Sequence, residues 1–141
     1  MVRRVERLLS FCFALLFVCA APSYAADSLV GIWYGKGQPD DPNVIFLDDF
    51  HADGTYVSEF RRYDGCKVIW DDVEKGNWTL KDKQVDMITT DINGFAVYYD
   101  TLYTLESLSA TEQRTLHLET GYLFIETRVK KFTFPDCFVG S

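Results

Sequence analysis

Beyond residue 25 the sequence contains no apolar run approaching the ~18 residues of a membrane helix. Long helical periodicity, solenoid-length repeats, low-complexity tracts and interior linkers are also missing. These gaps exclude a helical membrane protein, a repeat array and a tandem of domains. Basic residues are in the minority, 14 Lys and Arg against 21 Asp and Glu. An acidic chain is a poor partner for nucleic acid or for anionic lipid. No G-x-S-x-G elbow occurs, and "GKG" at 35–37 lacks the spacing and following helix of a phosphate loop.

The first 25 residues read as an address. Arg3, Arg4 and Arg7 make a basic start, and Leu8 to Ala20 is a short apolar run. Ser23-Tyr24-Ala25 offers small residues at the two positions a signal peptidase reads. The expectation is a secretory signal over 1–25, one domain over 26–141, and a periplasmic or secreted location. A lipid anchor on Cys19 is the alternative, although Val18 stands where Gly, Ala or Ser is usual. The leader carries +2 of a total of −7, so the remaining 116 residues carry −9. That length suits one domain with one core.

Cys12 and Cys19 leave with the leader, whereas Cys66 and Cys137 stay. A lone pair in an exported chain most simply forms one disulfide. Closing a loop of ~70 residues contributes on the order of 4 kcal/mol in the chain-entropy picture. Two free thiols are the alternative.

The body consists of runs rich in Val, Ile, Thr, Tyr, Phe and Trp, broken by Gly, Asp and Asn. Strands are expected near 29–36, 43–50, 55–63, 66–71, 76–81, 84–90, 95–106, 113–119 and 122–132, with a polar loop over Gly35 to Asn43. Ala52-Asp53-Gly54 suits a three-residue hairpin. It pairs Phe50 with Tyr56, Asp48 with Ser58, Phe46 with Phe60 and Val44 with Arg62. That aromatic face is the expected interior; Asp49, His51, Glu59 and Arg61 share the other face with Ile45, Leu47 and Val57. A turn at Asp82-Lys83 pairs Leu80 with Val85 and Trp78 with Met87. A two-residue turn at Thr120-Gly121 pairs Leu118 with Leu123 and Leu116 with Ile125. His117, Glu119, Tyr122 and Phe124 then face away from that apolar face, and both histidines are expected outside. Asn93-Gly94 is a hairpin signal, but its literal register pairs Met87 with Asp100 and opposes the apolar face of Phe95, Val97, Tyr99 and Tyr103. A bulge or a longer loop would resolve the conflict. Eight or nine short antiparallel strands in succession predict an all-β, up-and-down barrel, because closure removes exposed edges. A two-sheet sandwich is the rival.

Gly31-x-Trp33-Tyr34 on the first strand resembles the opening motif of the lipocalins and of the wider calycin set, which includes fatty-acid-binding proteins and avidins. In length the chain is closer to avidins and to small lipocalin-like bacterial proteins, and a second lipocalin motif is missing. The resemblance covers the first strand and the strand succession. It implies that Trp33 closes one end of the barrel, with Gly31 giving room and an arginine from a late strand packing across the ring. Arg128 is the first match for that arginine and Arg114 the second. These are structural roles.

Chemistry has few candidates. Asp49, His51 and Asp53 converge on a hairpin tip but miss the EF-hand spacing, so no metal is expected. Asp71, Asp72 and Glu74 read as an exposed turn. The strongest constellation is polar groups among inward aromatics: Asp48, Tyr56, Phe60, Arg62 and Tyr99. Buried charges must pair with each other or with a ligand. Asp48 and Arg62 therefore either form an internal ion pair, or Arg62 lies at the barrel mouth. The expected function is a non-catalytic barrel that binds a small apolar or aromatic ligand without a cofactor. The alternatives are an acidic protein-binding module, such as a protease or lysozyme inhibitor acting through the Gly35–Asn43 loop and the N-terminus, and an envelope structural protein without a ligand. Phenolic acid decarboxylases do chemistry with Tyr, Arg and Glu in a calycin-like cavity, but nothing in the spacing here singles out catalysis.

Overall fold

The alternation of bulky residues with turn formers resolves into eight strands in the computed structural model, which describes residues 29–141. The expected leader and its cleavage site lie outside the described residues. The strands are β1 Gly31–Gln38, β2 Asp41–Phe50, β3 Thr55–Asp64, β4 Lys67–Lys81, β5 Gln84–Ile92, β6 Phe95–Leu108, β7 Glu112–His117 and β8 Leu123–Val129. Each pairs antiparallel with the next, and β8 returns to β1, which closes an up-and-down barrel. This architecture is all-β and consistent with a calycin-like fold. Closure leaves no strand of the barrel with an unpaired edge. No helix of the described residues is long and apolar enough to cross a membrane.

Turn chemistry sets much of the register. Gly54 has φ 84°, and β2 and β3 pair Phe50 with Tyr56, Asp48 with Ser58, Phe46 with Phe60 and Val44 with Arg62. A left-handed residue at that point of a three-residue loop is what fixes this pairing. Across Asp82-Lys83, Leu80 meets Val85 and Trp78 meets Met87.

Three expectations are corrected, and the open register at Asn93-Gly94 resolves as a bulge. Segments 66–71 and 76–81 are one strand, β4, so Asp71, Asp72 and Glu74 sit on a strand rather than a turn. Cross-strand partners make this tolerable: Asp71 faces Arg61, and Asp72 Oδ1 accepts from Asn93 Nδ2 at 2.6 Å. The polar loop over Gly35–Asn43 is mostly strand, with a turn of only Pro39-Asp40 between β1 and β2. At Asn93-Gly94 the tight turn forms, but a bulge at Thr90 shifts the register, so Met87 pairs with Thr101 and Thr89 with Tyr99. The chain thereby keeps both the hairpin and the apolar face.

The third correction matters most for function. Thr120-Gly121 is not a two-residue turn. The His117 ring captures it: Nδ1 meets Thr120 Oγ1 at 2.7 Å and accepts from Thr120 N, while His117 N donates to Tyr122 O. Leu116 consequently pairs with Leu123 and Thr115 with Phe124. The inward set is Gln113, Thr115, His117, Phe124 and Glu126, and the outward set includes Leu118, Leu123 and Ile125. Of the two histidines, His117 faces in and His51 stays on the outside, 3.3 Å from Asp49.

One end of the barrel is solid. Trp33, Phe50, Tyr56, Trp78, Val85 and Leu105 pack there with Leu29. After β8 the chain crosses back over the outside of β1 to β3. Phe132 stacks on Tyr34 with centroids 4.6 Å apart, Phe134 lies 4.4 Å from the Arg61 guanidinium, and Tyr63 Oη donates to Pro135 O. Cys137 is bonded to Cys66, and Phe138 pairs with Gly65. This tail explains why Ile45 and Tyr63, on outward positions, have no exposure at all.

Candidate functional site

The solid end forms a floor, and above it the barrel encloses a cavity of about 360 Å³. Gln38, Trp70 and His117, near the opposite strand ends, form its rim. Phe46, Phe60 and Phe124 line the wall together with Tyr56 and Tyr103. The side chains that could act chemically form a band across the middle.

Trp33 is the keystone of the floor. It has no exposed surface, and its Nε1 donates to Leu29 O at 2.8 Å. Arg128, its partner across β8 and β1, places its guanidinium 4.2 Å from the ring centroid and donates from Nη1 to Val30 O at 2.7 Å. Gly31 has φ 133°, and a Cβ there would lie 2.7 Å from Arg128 Nη1. Arg114 does not take part; it pairs with Glu112 at 2.9 Å on the surface.

The band begins with Asp48 on β2. Ser58, its cross-strand neighbour, donates its hydroxyl to Asp48 Oδ1. Glu126 reaches Asp48 from β8, and the two carboxyls share a hydrogen bond. Gln113 on β7 donates from Nε2 to Glu126 Oε2 at 2.7 Å, and Thr115 also bonds Glu126. On the far wall Tyr56 Oη and Thr89 Oγ1 are 2.6 Å apart, and Thr89 also bonds Glu74.

Burial governs the protonation of this band. Asp48 borders the cavity and keeps some surface there, but it lies deep among protein atoms, and its carboxyl is pushed up to about 6. Glu126 is raised well above the ordinary carboxyl range, first by burial and then by the negative charge of Asp48. The pair therefore keeps a proton to higher pH than two ordinary carboxyls would, donated by Glu126 to Asp48. Glu74 is raised for the same two reasons, and the Tyr56 hydroxyl is pushed up to about 12 by burial. Burial also raises the Tyr103 hydroxyl.

Of the residues expected at a site, Asp48, Tyr56 and Phe60 line the cavity. Arg62 does not. It lies at the mouth, where its Nε donates to Asp41, so no Asp48–Arg62 ion pair forms. Tyr99 shares the inward parity but sits on the part of β6 beyond the cavity and is 57% exposed. Glu126, Gln113, Thr115, Glu74, Thr89 and His117 went unrecognised. One signal could have found Glu126: if Arg128 packs on Trp33, alternation also turns Glu126 and Phe124 inward. Among the described residues, no group of three or more His, Cys, Asp or Glu is placed to hold a metal.

No family model matches the chain, and no curated protein matches it at a significant level.

Proposed function

We propose that this is an exported, non-catalytic, lipocalin-like barrel that binds a small apolar or aromatic molecule in its interior. The observation that carries this reading is the cavity of about 360 Å³, with one closed end and aromatic walls. Small-molecule sites usually occupy ~300–1,000 Å³ and combine apolar walls with a few placed polar groups. The Trp33–Arg128 stack supports kinship with lipocalin-like barrels. Export rests on the leader-like residues 1–25 and on the Cys66–Cys137 bond.

The protein-binding alternative rests on the acidic charge and the disulfide-bonded barrel, with the Gly35–Asn43 segment and the N-terminus as its contact regions. The first of these regions is paired strand with a two-residue turn and offers less loop than the sequence suggests.

A titration with the neutral fluorescent probe N-phenyl-1-naphthylamine tests the reading. Binding is expected in the parent protein. A Thr115→Trp variant, which fills the cavity from β7, should abolish it while the circular dichroism spectrum is retained. Equal binding by parent and folded variant would place the probe outside the cavity and count against the proposal.

A further inference from the structure

The interior has an uneven supply of hydrogen-bonding groups. Asp48, Asp72, Glu74 and Glu126 line the cavity, and among the described residues no Lys or Arg does. The two arginines of inward parity are engaged elsewhere: Arg62 with Asp41 at the mouth, and Arg128 with Val30 O and the Trp33 ring. The donors of the band are already used. The Ser58 hydroxyl goes to Asp48, the Gln113 amide to Glu126, and Tyr56 and Thr89 engage each other and Glu74.

One acceptor is left over. Gln113 is 1% exposed and lines the cavity, yet its Oε1 has no hydrogen-bond partner. A buried carbonyl oxygen without a donor has given up its hydrogen bond to water and gained none in return. Its neighbour is Glu126, which leads on to Asp48, so three acceptors stand together in one wall of the cavity. Aromatic rings border the same space, and their faces attract cations. An anion would meet four acidic side chains. A neutral apolar molecule would leave Gln113 Oε1 unpaired.

Resting on the ligand-binding reading above, we propose that the cavity selects a small organic cation. Its ammonium or amidinium head would be held by Asp48, Glu126 and Gln113 Oε1, and its apolar or aromatic body by Phe46, Phe60 and Phe124. The head supplies a donor for Gln113 Oε1, and its charge is matched by the carboxyl pair. Entry of the cation favours the doubly ionised pair and so expels the shared proton. The other titratable groups facing the pair are Tyr56 on β3, Asp72 and Glu74 on β4, Tyr103 on β6 and His117 on β7. The inward residues of β1 and β5 in the cavity, Gln38, Val85, Met87 and Thr89, bring no charge. Proton release on binding makes affinity rise with pH as the pair ionises.

The test uses three probes with one body on the full mature protein: 2-phenylethylamine, 2-phenylethanol and 3-phenylpropanoate, titrated by calorimetry. The amine should bind at least about tenfold tighter than the alcohol, and the carboxylate should not bind. Asp48→Asn with Glu126→Gln should remove the preference, so that this variant binds the amine no tighter than it binds the alcohol. Equal or tighter binding of the alcohol or the carboxylate would overturn the charge preference alone. Failure of the amine to bind at all would overturn it too. N-phenyl-1-naphthylamine, titrated alongside, then shows whether the cavity reading falls with it: if that probe binds, only the cation inference is lost.

Discussion

Arg128 and Trp33 face each other across β8 and β1, with the guanidinium 4.2 Å from the ring centroid. The contact joins the last strand to the first and seals the floor at the seam where the barrel closes. Arg128→Met keeps much of the apolar stem but loses the cation–ring attraction and the bond to Val30 O. It should destabilise the protein by about 1–3 kcal/mol, measured by urea unfolding. Arg128→Lys should fall between, because an ammonium cannot lie flat on the ring. An unchanged midpoint for Arg128→Met would remove the floor contact from the stability of the fold.

Gly31 lies beneath the same guanidinium. Its φ of 133° disfavours any side chain, and a Cβ would crowd Arg128 Nη1. Gly31→Ala should therefore cost roughly 1–3 kcal/mol. In the Arg128→Met background the crowding term disappears and the backbone term stays, so the cost should be smaller. A double-mutant cycle checks this, and full additivity would contradict the proposed contact.

The Cys66–Cys137 bond fastens the tail over the outer face of β1 to β3. Replacing both cysteines with serine should lower stability by about 2–4 kcal/mol. Hydrogen exchange should speed up first in residues 130–141 and in the strands they cover. Uniform acceleration around the whole barrel would mean that the tail is not a separate layer.

Asp48 gives a pH dependence with a definite sign. Its folded pKa of about 6 lies above the ordinary 3.8, so the folded state holds the extra proton between those values. The associated stability is full below about pH 4 and is lost as pH rises through about 6. Asp48→Asn removes the cost of a buried carboxylate and keeps an acceptor for Ser58. At about pH 8 it should be more stable than the parent by on the order of 2 kcal/mol, and its stability should vary less between about pH 4 and 7. Thermal melts across that range decide the matter; a variant that loses stability at high pH would contradict the raised carboxyl.

The sequence made the barrel legible and half of its lining. Local turn chemistry sufficed where one residue dominates the turn, as at Gly54, and there the pairs from Phe50–Tyr56 to Val44–Arg62 follow directly. It failed at Thr120-Gly121, because the His117 ring rebuilds that turn from outside the dipeptide. The β7–β8 faces were inverted for a second reason. Placing Leu118, Leu123 and Ile125 inside assumes a dry core, whereas here Gln113, Thr115 and Glu126 turn inward around a cavity and the leucines stay partly exposed. A polar interior breaks the rule that the apolar face is buried, and it does so where the site lies. Arg62 and Tyr99 show the opposite error. Their parity is right, but both lie toward the open end, beyond the cavity, and parity along a strand carries no information about depth.

The most direct measurement of the central claim is native mass spectrometry of the protein purified from the cell envelope. A single added small mass that leaves on gentle activation, and that the folded Thr115→Trp variant does not carry, is the expected result. Protein free of any small mass, together with no binding of N-phenyl-1-naphthylamine, would contradict an interior binding site.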